Sequence, residues 1–289
     1  MAKKGWRYRI RDLAFYIALA IVLVFVLFPF YWLVLNAFKW GGGGYFSGDY
    51  FTYPPKFWPS GFHLENFQTV IFGGKFVNSV FPNILNSAIV GFSTAAIVKT
   101  MSTLGAFALT RLRFKRRDDV AFFILSQRIL PPVSVIIPYY FIISGLHLLD
   151  TQLALILTYI LLNLPFSVWI LMTYFEEIPK EIEEAAYVDG CTTMSAFRRI
   201  LLPVALPGIL VTAIFSVITC YNEFMFSFVL TFSKAVTLPR AIAQFVTIQG
   251  TLWGEMSAAS FLGILPVIAF AMIIQRHLVR VMTMGAVKG

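Results

Sequence analysis

Residues 13–38 read LAFYIALAIVLVFVLFPFYWLVLNAF and contain no charged side chain. A helix needs about 20 apolar residues to cross the roughly 30 Å of hydrocarbon in a bilayer, so this stretch is long enough to span a membrane. The whole chain fits that interpretation, since 58% of its 289 residues are hydrophobic and only 13% are charged. Soluble domains carry about 25% charged residues. The composition therefore excludes an ordinary soluble enzyme and predicts an integral membrane protein.

Five further apolar runs of similar length follow along the chain. Together the runs predict six transmembrane helices, at about residues 13–36, 78–108, 120–143, 152–175, 204–231 and 256–275. The runs are continuous rather than alternating, which argues against an outer-membrane barrel. Backbone groups in lipid must bond within their own segment, which leaves the helix. The predicted fold class is an all-α integral membrane protein, with residues 1–289 forming a single transmembrane domain.

Basic residues are distributed unevenly between the two sides of these helices. Sixteen Lys and Arg residues fall in the N-terminal head, the loops after the second and fourth helices, and the C-terminal tail, against five in the other loops. Because basic residues accumulate on the cytoplasmic side, both termini are predicted to be cytoplasmic. The net charge of +9 then reflects orientation, and we expect no binding to nucleic acid.

The most informative cytoplasmic segment, residues 176–203, reads EEIPKEIEEAAYVDGCTTMSAFRRILLP. Pro179 suits a helix start, Gly190 suits the left-handed residue just past a helix end, and Thr192 or Thr193 can cap a second helix. The second helix is expected to stop before Pro203. The pattern predicts two short helices joined by a tight turn. From the residues alone, such a segment can be an ordinary linker or a docking surface for another protein.

A spaced motif lies inside this segment: Glu184-Ala185-Ala186, then Gly190, then ILLP at 200–203. It resembles the EAA motif of ABC importer permeases. The resemblance implies the type I ABC importer permease fold, in which this loop forms coupling helices that dock on a cytoplasmic ATPase subunit. Six residues would then couple the chain to the ATPase: Glu184, Ala185, Ala186, Gly190, Ile200 and Pro203.

Three other segments are similar to the carbohydrate branch of that family, and most of all to the smaller subunit of the maltose-type permease pair (MalG-type). They are Asn222-Glu223-Phe224, Thr237-Leu238-Pro239 and the C-terminal residues 285–289. The resemblance implies that Gly285, Lys288 and Gly289 contact the ATPase. Tyr221 stands where many relatives have tryptophan, and it keeps an aromatic ring at that position.

Two ionisable residues, Arg128 and Glu223, fall inside predicted spans. A charge at membrane depth is costly, so such a residue is a functional candidate by default. One hypothesis is that Arg128 and Glu223 share an interior face and, with Asn222, line the translocation pathway. For Arg128 the alternatives are a purely structural ion pair, or a shift of the third span that places this residue near the membrane interface. For Asn222 and Glu223 they are a kink in the fifth span, or a gating role or helix interface with a partner subunit.

Motifs for chemistry on this chain are missing from the sequence. The three histidines are isolated, HExxH and GxSxG do not occur, and Gly73-Gly74-Lys75 lacks the rest of a P-loop. We therefore expect no catalytic residue, no metal and no bound cofactor. ATP and Mg²⁺ are expected on separate ATPase subunits.

The resemblance implies a function as well as a fold. The chain would be the permease subunit of an ATP-driven, binding-protein-dependent importer that moves a di- or oligosaccharide, or a related polyol, across a bacterial or archaeal cytoplasmic membrane. The implied partners are a homologous permease subunit, two ATPase subunits, an extracytoplasmic solute-binding protein and membrane lipid. The alternative is a stand-alone ion-coupled secondary transporter, a class that usually has internal repeats and broken helices near the midplane.

Overall fold

The computed structural model describes residues 2–41, 48–74 and 77–286, with side chains described over 12–41, 48–74 and 77–275. The described chain is mainly helical. In chain order the helices are α1 (Ala2–Phe38), α2 (Glu65–Phe72), α3 (Phe81–Arg111), α4 (Arg117–Ser126), α5 (Pro132–Gly145), α6 (Gln152–Glu177), α7 (Lys180–Val188), α8 (Thr193–Ala196), α9 (Leu202–Val204), α10 (Leu206–Asn222), α11 (Met225–Leu230), α12 (Leu238–Ala243) and α13 (Trp253–Ala286). Two-residue strands, β1 (Val246–Thr247) and β2 (Gly250–Thr251), form an antiparallel hairpin just before α13.

Among the described residues, four helices are long and apolar enough to cross a membrane. They are Asp12–Phe38, Phe81–Arg111, Gln152–Glu177 and Trp253–Gln275. Two further candidates are bent pairs, Arg117–Ile129 with α5 at 100° and Thr193–Val204 with α10 at 72°. Counting each bent pair as one crossing gives six, the number expected from the sequence. The bounds of the individual spans stay predictions.

The third and fifth predicted spans follow a different course from a single straight helix. Residues 120–143 were expected to be continuous, but the chain bends between Ile129 and Pro132. Pro131 and Pro132 lack a backbone N–H, and a proline disfavours the helical conformation of the residue before it. Within 204–231, α10 ends at Asn222 and a separate helix begins at Met225.

The chain divides into two compact units. One comprises Met1–Phe81 and Ile242–Ile264, and the other comprises Pro82–Ala241 and Leu265–Gly289. The first contains α1, α2 and the hairpin, whereas the second contains the helices from α4 to α11.

In the first unit, two side chains hold the C-terminal end of α1. The Asn66 amide donates to the carbonyls of Ala37 at 3.0 Å and Lys39 at 2.9 Å. The Tyr50 hydroxyl donates to the carbonyls of Asn36 and Lys39, at 2.9 and 3.0 Å. The last carbonyls of a helix have no partner inside the helix. Asn66 and Tyr50 therefore fasten the segment after α1 to the end of that helix.

Gly254 at the start of α13 packs directly against this network. A Cβ at Gly254 would overlap the Tyr50 hydroxyl and lie 2.6 Å from Asn66 Oδ1. We expect Gly254→Ala to cost about 1–3 kcal/mol of folding free energy, the usual range for overpacking a tight site. Thermal unfolding of the purified protein measures the loss. Gly145→Ala is the matched control, because nothing lies within 4 Å of its Cβ position, and an equal loss in both variants would contradict the steric account.

Among the described residues of the second unit, two hydrophobic clusters lie one near each end of α6. One cluster joins the last turns of α3 and α6 to the segment before α10 and to the first turn of α10. Its members are Ala106, Phe107, Leu171, Phe175, Ile178, Phe197, Leu201, Ala205 and Ile209. The other joins the opposite ends of α3, α6 and α10 to α5 and α11, through Val90, Ile143, Ala154, Leu155, Tyr159, Cys220, Phe226 and Leu230. Between them, α6 and α10 pack along each other.

Candidate functional site

The segment 176–203, named the coupling loop below, begins with an amphipathic helix that ends in a tight turn. Pro179 immediately precedes α7, and Gly190 has φ = +81°, a left-handed conformation that favours glycine. The Cys191 amide donates to the Ala186 carbonyl at 2.9 Å, and the Gly190 amide donates to the Tyr187 carbonyl at 3.0 Å. This pair of bonds is the Schellman motif, which closes a helix end. The turn predicted at Gly190 is therefore present.

The second half of the coupling loop continues past the point where the sequence predicted its end. The Thr192 hydroxyl accepts from the Ser195 amide at 3.3 Å and caps α8, as expected. The chain then makes a π-helical turn at Phe197–Leu201 and runs through Pro203 in α9. The expected stop before Pro203 is wrong, because the helical run continues from Thr193 to Val204, and the π-helical turn directly before α9 departs from the regular bonding pattern that Pro203 would break. The bend falls at Ala205 instead.

Arg111, the last residue of α3, anchors the coupling loop to the rest of the second unit. Its Nη2 donates to the carbonyls of Phe175 and Ile178, each at 2.7 Å. Its Nε lies 3.3 Å from Glu183 Oε2, close enough for an ion pair but not aligned as a hydrogen bond, and the two side chains are 5% and 10% exposed. One guanidinium thus joins the ends of α3 and α6 to α7.

Glu183 has a second partner on its own helix. The Tyr187 hydroxyl donates to Glu183 Oε1 at 2.6 Å. This bond is the main reason why the pKa of the Tyr187 phenol is raised above its ordinary value. A buried charge is tolerated when it is paired and hydrogen-bonded. Glu183 meets both conditions, since Oε2 pairs with Arg111 and Oε1 accepts the hydrogen bond from Tyr187.

Three aromatic rings support the coupling loop from the inside. The ring of Phe107 in α3 lies 4.5 Å from that of Phe197 and 6.3 Å from that of Phe175, measured between centroids. Aromatic pairs at such distances contribute about 0.5–1.5 kcal/mol beyond the area that they bury. The rings therefore pack the coupling loop against the last turns of α3 and α6.

The predicted coupling residues divide between the outside and the inside of the loop. Glu184, Ala185 and Gly190 are exposed, whereas Ala186 is only 2% exposed and packs inward. Ile200 is half-buried and Pro203 is exposed. The exposed surface also includes apolar side chains that were not among the predicted coupling residues: Ile182, Val188 and Met194. This set, with Glu184 and Ala185, is named the outer face of the loop.

At the other end of the second unit, a carboxylate holds the segment after α11. Asp150, just before α6, accepts hydrogen bonds from the backbone amides of residues 232, 233, 234 and 235 at 2.9–3.2 Å. Burial alone would raise the pKa of this carboxyl, but the four amide bonds outweigh it and lower the pKa to about 2. The segment 231–238, named the outer loop below, is fixed by this contact.

Side chains from α3 hold the same outer loop from a second direction. Asn83 donates to the Val236 carbonyl at 2.9 Å, and Asn86 donates to the carbonyls of Lys234 and Val236 at 2.9 and 3.0 Å. The Ser87 hydroxyl accepts from the Leu238 amide at 2.8 Å. Buried backbone groups need such partners when they lie outside helices and strands. The Thr237-Leu238-Pro239 segment is thus held in one conformation.

The residues predicted to line a pathway are not brought together. Arg128 is exposed, and its guanidinium lies 4.6 Å from the centroid of the Phe166 ring. Glu223 instead follows the end of α10, where it accepts from the Tyr159 hydroxyl at 2.8 Å and from the Phe226 amide at 3.1 Å. Asn222 is exposed beside it. The expected contact between Arg128 and Glu223 is absent among the described residues, because Glu223 is used to start α11.

Two predictions remain: the ATPase contacts at the C-terminus, and the absence of a bound metal or cofactor. Gly285 belongs to α13, whereas Lys288 and Gly289 lie outside the described residues. Within the part of the chain that the structure describes, no three His, Cys, Asp or Glu residues are grouped so that they could hold a metal ion. The expectation that this chain binds no metal or cofactor stays a prediction.

Arg111, Glu183 and Asp150 were not selected from the sequence as functional residues. Their partners lie far away along the chain, 64 residues from Arg111 to Phe175 and 82 from Asp150 to Phe232. A local pattern cannot reveal contacts over such separations. For Arg111, the available signal was its position at the very end of an apolar run, where an arginine can reach the carbonyls of neighbouring helix ends.

The described helices, with up to six candidate crossings and a braced loop between α6 and α10, have the type I ABC importer permease fold. A bacterial ABC transporter that imports the acidic polysaccharide alginate has a chain of the same fold. The two chains align with a TM-score of 0.70 and 20% identity, over 93% of this chain and 96% of the other. The fold expected from the sequence is confirmed.

This chain belongs to the family of binding-protein-dependent transport system inner membrane components, whose family model matches residues 101–284. It is similar to the probable ABC transporter permease protein y4oR of Sinorhizobium fredii, with 38% identity over 92% of each chain. It is also similar to the diacetylchitobiose uptake system permease protein DasC of Streptomyces coelicolor, with 34% identity over 93% of this chain and 94% of the relative. The chain is therefore a multi-pass membrane component of a transporter and not an enzyme.

Proposed function

We propose that this chain is the permease subunit of an ATP-driven carbohydrate importer. The coupling loop carries the proposal: it is braced from inside by Arg111 and three phenylalanine rings, yet it exposes Glu184 and Ala185. A loop that is packed firmly against its own helices and has an exposed outer surface is suited to transmit a movement of a protein bound to that surface. The named sugar of the permease DasC, diacetylchitobiose, supports a carbohydrate as the solute.

The mechanism follows from how the coupling loop is attached. Two ATPase subunits, which bind ATP and Mg²⁺, would hold the outer face of the loop in this chain and in a homologous permease partner. Closure of the ATPase pair would displace α7, and the Arg111–Glu183 contact would pass that displacement to α3 and α6. Because packed helices move as rigid elements, the opposite end of the pathway would open.

The other side of the chain would receive the solute from an extracytoplasmic solute-binding protein. The outer loop is a candidate for that contact, since Asp150 and Asn86 hold its backbone in one conformation while Ser233 and Lys234 stay exposed. This arrangement requires both termini to be cytoplasmic, in a bacterial or archaeal cytoplasmic membrane, as the distribution of basic residues favours.

A charge reversal on the outer face tests the proposal. Glu184→Lys is expected to weaken copurification of the ATPase subunit from native membranes by about tenfold or more, which corresponds to 1.4 kcal/mol of binding free energy. The homologous permease partner should still copurify. The physical reason is that a charge complementary to the ATPase surface becomes a repulsive one on docking.

Glu177→Lys is the matched control, because Glu177 is also exposed and acidic but lies at the end of α6 rather than on α7. This variant should retain the ATPase. The proposal fails if no ATPase copurifies with the unaltered chain and the chain moves solute in liposomes without ATP. That result would favour the stand-alone secondary transporter.

A further inference from the structure

A basic segment with apolar neighbours follows directly after α3. Residues 112–117 read LRFKRR, and this stretch is named the basic segment. Arg111 before it is occupied by its contacts with the coupling loop. Arg113, Lys115 and Arg116 are exposed, and in the described part of the chain their side chains have no hydrogen-bond or ion-pair partner. Three cations at the end of an apolar helix are thus left without a counter-charge from this chain.

The cations are close enough together to act on one ligand. Together with Arg117 they line an open cavity of 670 Å³ at the turn between α3 and α4, where Arg116 has φ = +63°. Arg117 pairs with its neighbour Asp118 at 3.1 Å. Asp119 is the other acidic residue of the cavity, so four positive charges face two negative ones. The cavity keeps a net attraction for an anion.

The apolar residues beside these cations indicate which kind of anion the basic segment binds. Leu112 and Phe114 alternate with the cations and are 40% and 44% exposed. All ten residues of α4 are described and none is buried, and Phe122 on that helix is 71% exposed. Basic residues with exposed apolar neighbours lie in the membrane interface, the apolar groups among acyl chains and the charges at the level of the headgroups.

We infer that the basic segment is a binding site for the phosphate headgroups of anionic phospholipids. The free cations supply charge complementarity to a phosphodiester, and Leu112 and Phe114 supply contact with the acyl chains. A soluble phosphate compound would use the cations alone and would gain nothing from the apolar side chains. The site would hold the turn between α3 and α4 at the cytoplasmic surface, whichever solute the chain transports.

The inference is tested by measuring how tightly the full-length purified chain binds phosphatidylglycerol and phosphatidylcholine, by native mass spectrometry. The variant Arg113→Gln/Lys115→Gln/Arg116→Gln should lose roughly 100-fold in affinity for phosphatidylglycerol, since each cation near an anionic surface contributes about 1 kcal/mol. Phosphatidylcholine binding should stay unchanged. The matched control, Lys180→Gln/Arg198→Gln/Arg199→Gln, removes the same charge from exposed coupling-loop positions and should keep its phosphatidylglycerol.

A second arm separates a lipid from a free phosphate ligand. Phe114→Ser should weaken phosphatidylglycerol binding while leaving the binding of inositol hexakisphosphate unchanged. Equal phosphatidylglycerol binding by Phe114→Ser and the unaltered chain would overturn the lipid assignment. An equal loss of phosphatidylglycerol affinity in the two triple variants would overturn it as well. Raising the salt concentration needs no variant: it should release phosphatidylglycerol, because screening shortens the reach of charges, and retention at high salt would also contradict the site.

Discussion

Replacing Arg111 with methionine should uncouple the transporter and lower its stability by about 3–5 kcal/mol, the usual cost of removing one partner from a buried ion pair. The substitution leaves Glu183, whose side chain is 10% exposed, without its cation. It also removes the donors to the carbonyls of Phe175 and Ile178. The ends of α3, α6 and α7 would then no longer be tied together. Thermal unfolding measures the loss of stability, and solute-stimulated ATP hydrolysis measures the loss of coupling.

A second substitution tests whether the uncompensated carboxylate is the cause. Adding Glu183→Leu to Arg111→Met should recover part of the lost stability, since an apolar pair can replace a buried ion pair at little cost. Arg117→Met is the stability control, because Arg117 is exposed and pairs only with its neighbour Asp118 among the described residues. Arg111→Met with unchanged unfolding and unchanged coupling would contradict the anchoring role.

Removal of the carboxylate at Asp150 is expected to release the outer loop. Asp150→Ala deprives the amides of residues 232–235 of their shared acceptor, and a hydrogen bond to a charged group contributes about 1.5–3 kcal/mol. Because Asp150 is partly exposed, we expect a total near the low end, about 2 kcal/mol. Hydrogen exchange followed by mass spectrometry should find these amides exchanging faster, while those of α10 stay protected.

The substitution Asp150→Asn, and a change of pH, each test whether the charge of Asp150 holds the outer loop, and neither removes the whole side chain. The amide keeps one acceptor oxygen but loses the charge, so its effect should be smaller than that of alanine. The carboxyl pKa is lowered from 3.8 to about 2 in the folded chain, so its contribution is complete above pH 3.8 and disappears as the pH falls through about 2. Unaltered chain and Asp150→Asn should therefore converge in acid. A constant difference over that range would rule out the charge as the source.

Local rules were enough for the parts of the fold that depend on nearby residues. Apolar runs of about 20 residues identified the long helices, and Gly190 identified the turn of the coupling loop, because both signals lie within one stretch of sequence. The bend after Ile129 was not predicted, although Pro131 and Pro132 stand inside the run. The short helix α2 was missed, because eight residues within a proline- and glycine-rich segment give little periodicity.

The sequence predicted where the candidate site lies, but not which of its side chains face inward or which distant residues hold it. The EAA resemblance located the coupling loop, yet it grouped Ala186 with Ala185, and the structure turns one inward and the other outward. Such a division depends on which helix face meets α3, and that depends on Arg111 and Phe107 from a distant part of the chain. For Arg128 and Glu223, charge at membrane depth suggested a pair, but the broken α10–α11 segment gives Glu223 backbone amides to bind instead.

The most direct test of the account is a photo-crosslinking amino acid at Ala185, on the outer face of the coupling loop. In native membranes, irradiation should join this position to an ATPase subunit, with a yield that changes when ATP is added. The same amino acid at Ile248, fully exposed in the turn of the hairpin before α13, should give no ATPase adduct. An ATPase adduct confined to Ala185 is the predicted result. Absence of any ATPase adduct from Ala185, in membranes where the chain still transports its solute, would contradict the proposed coupling.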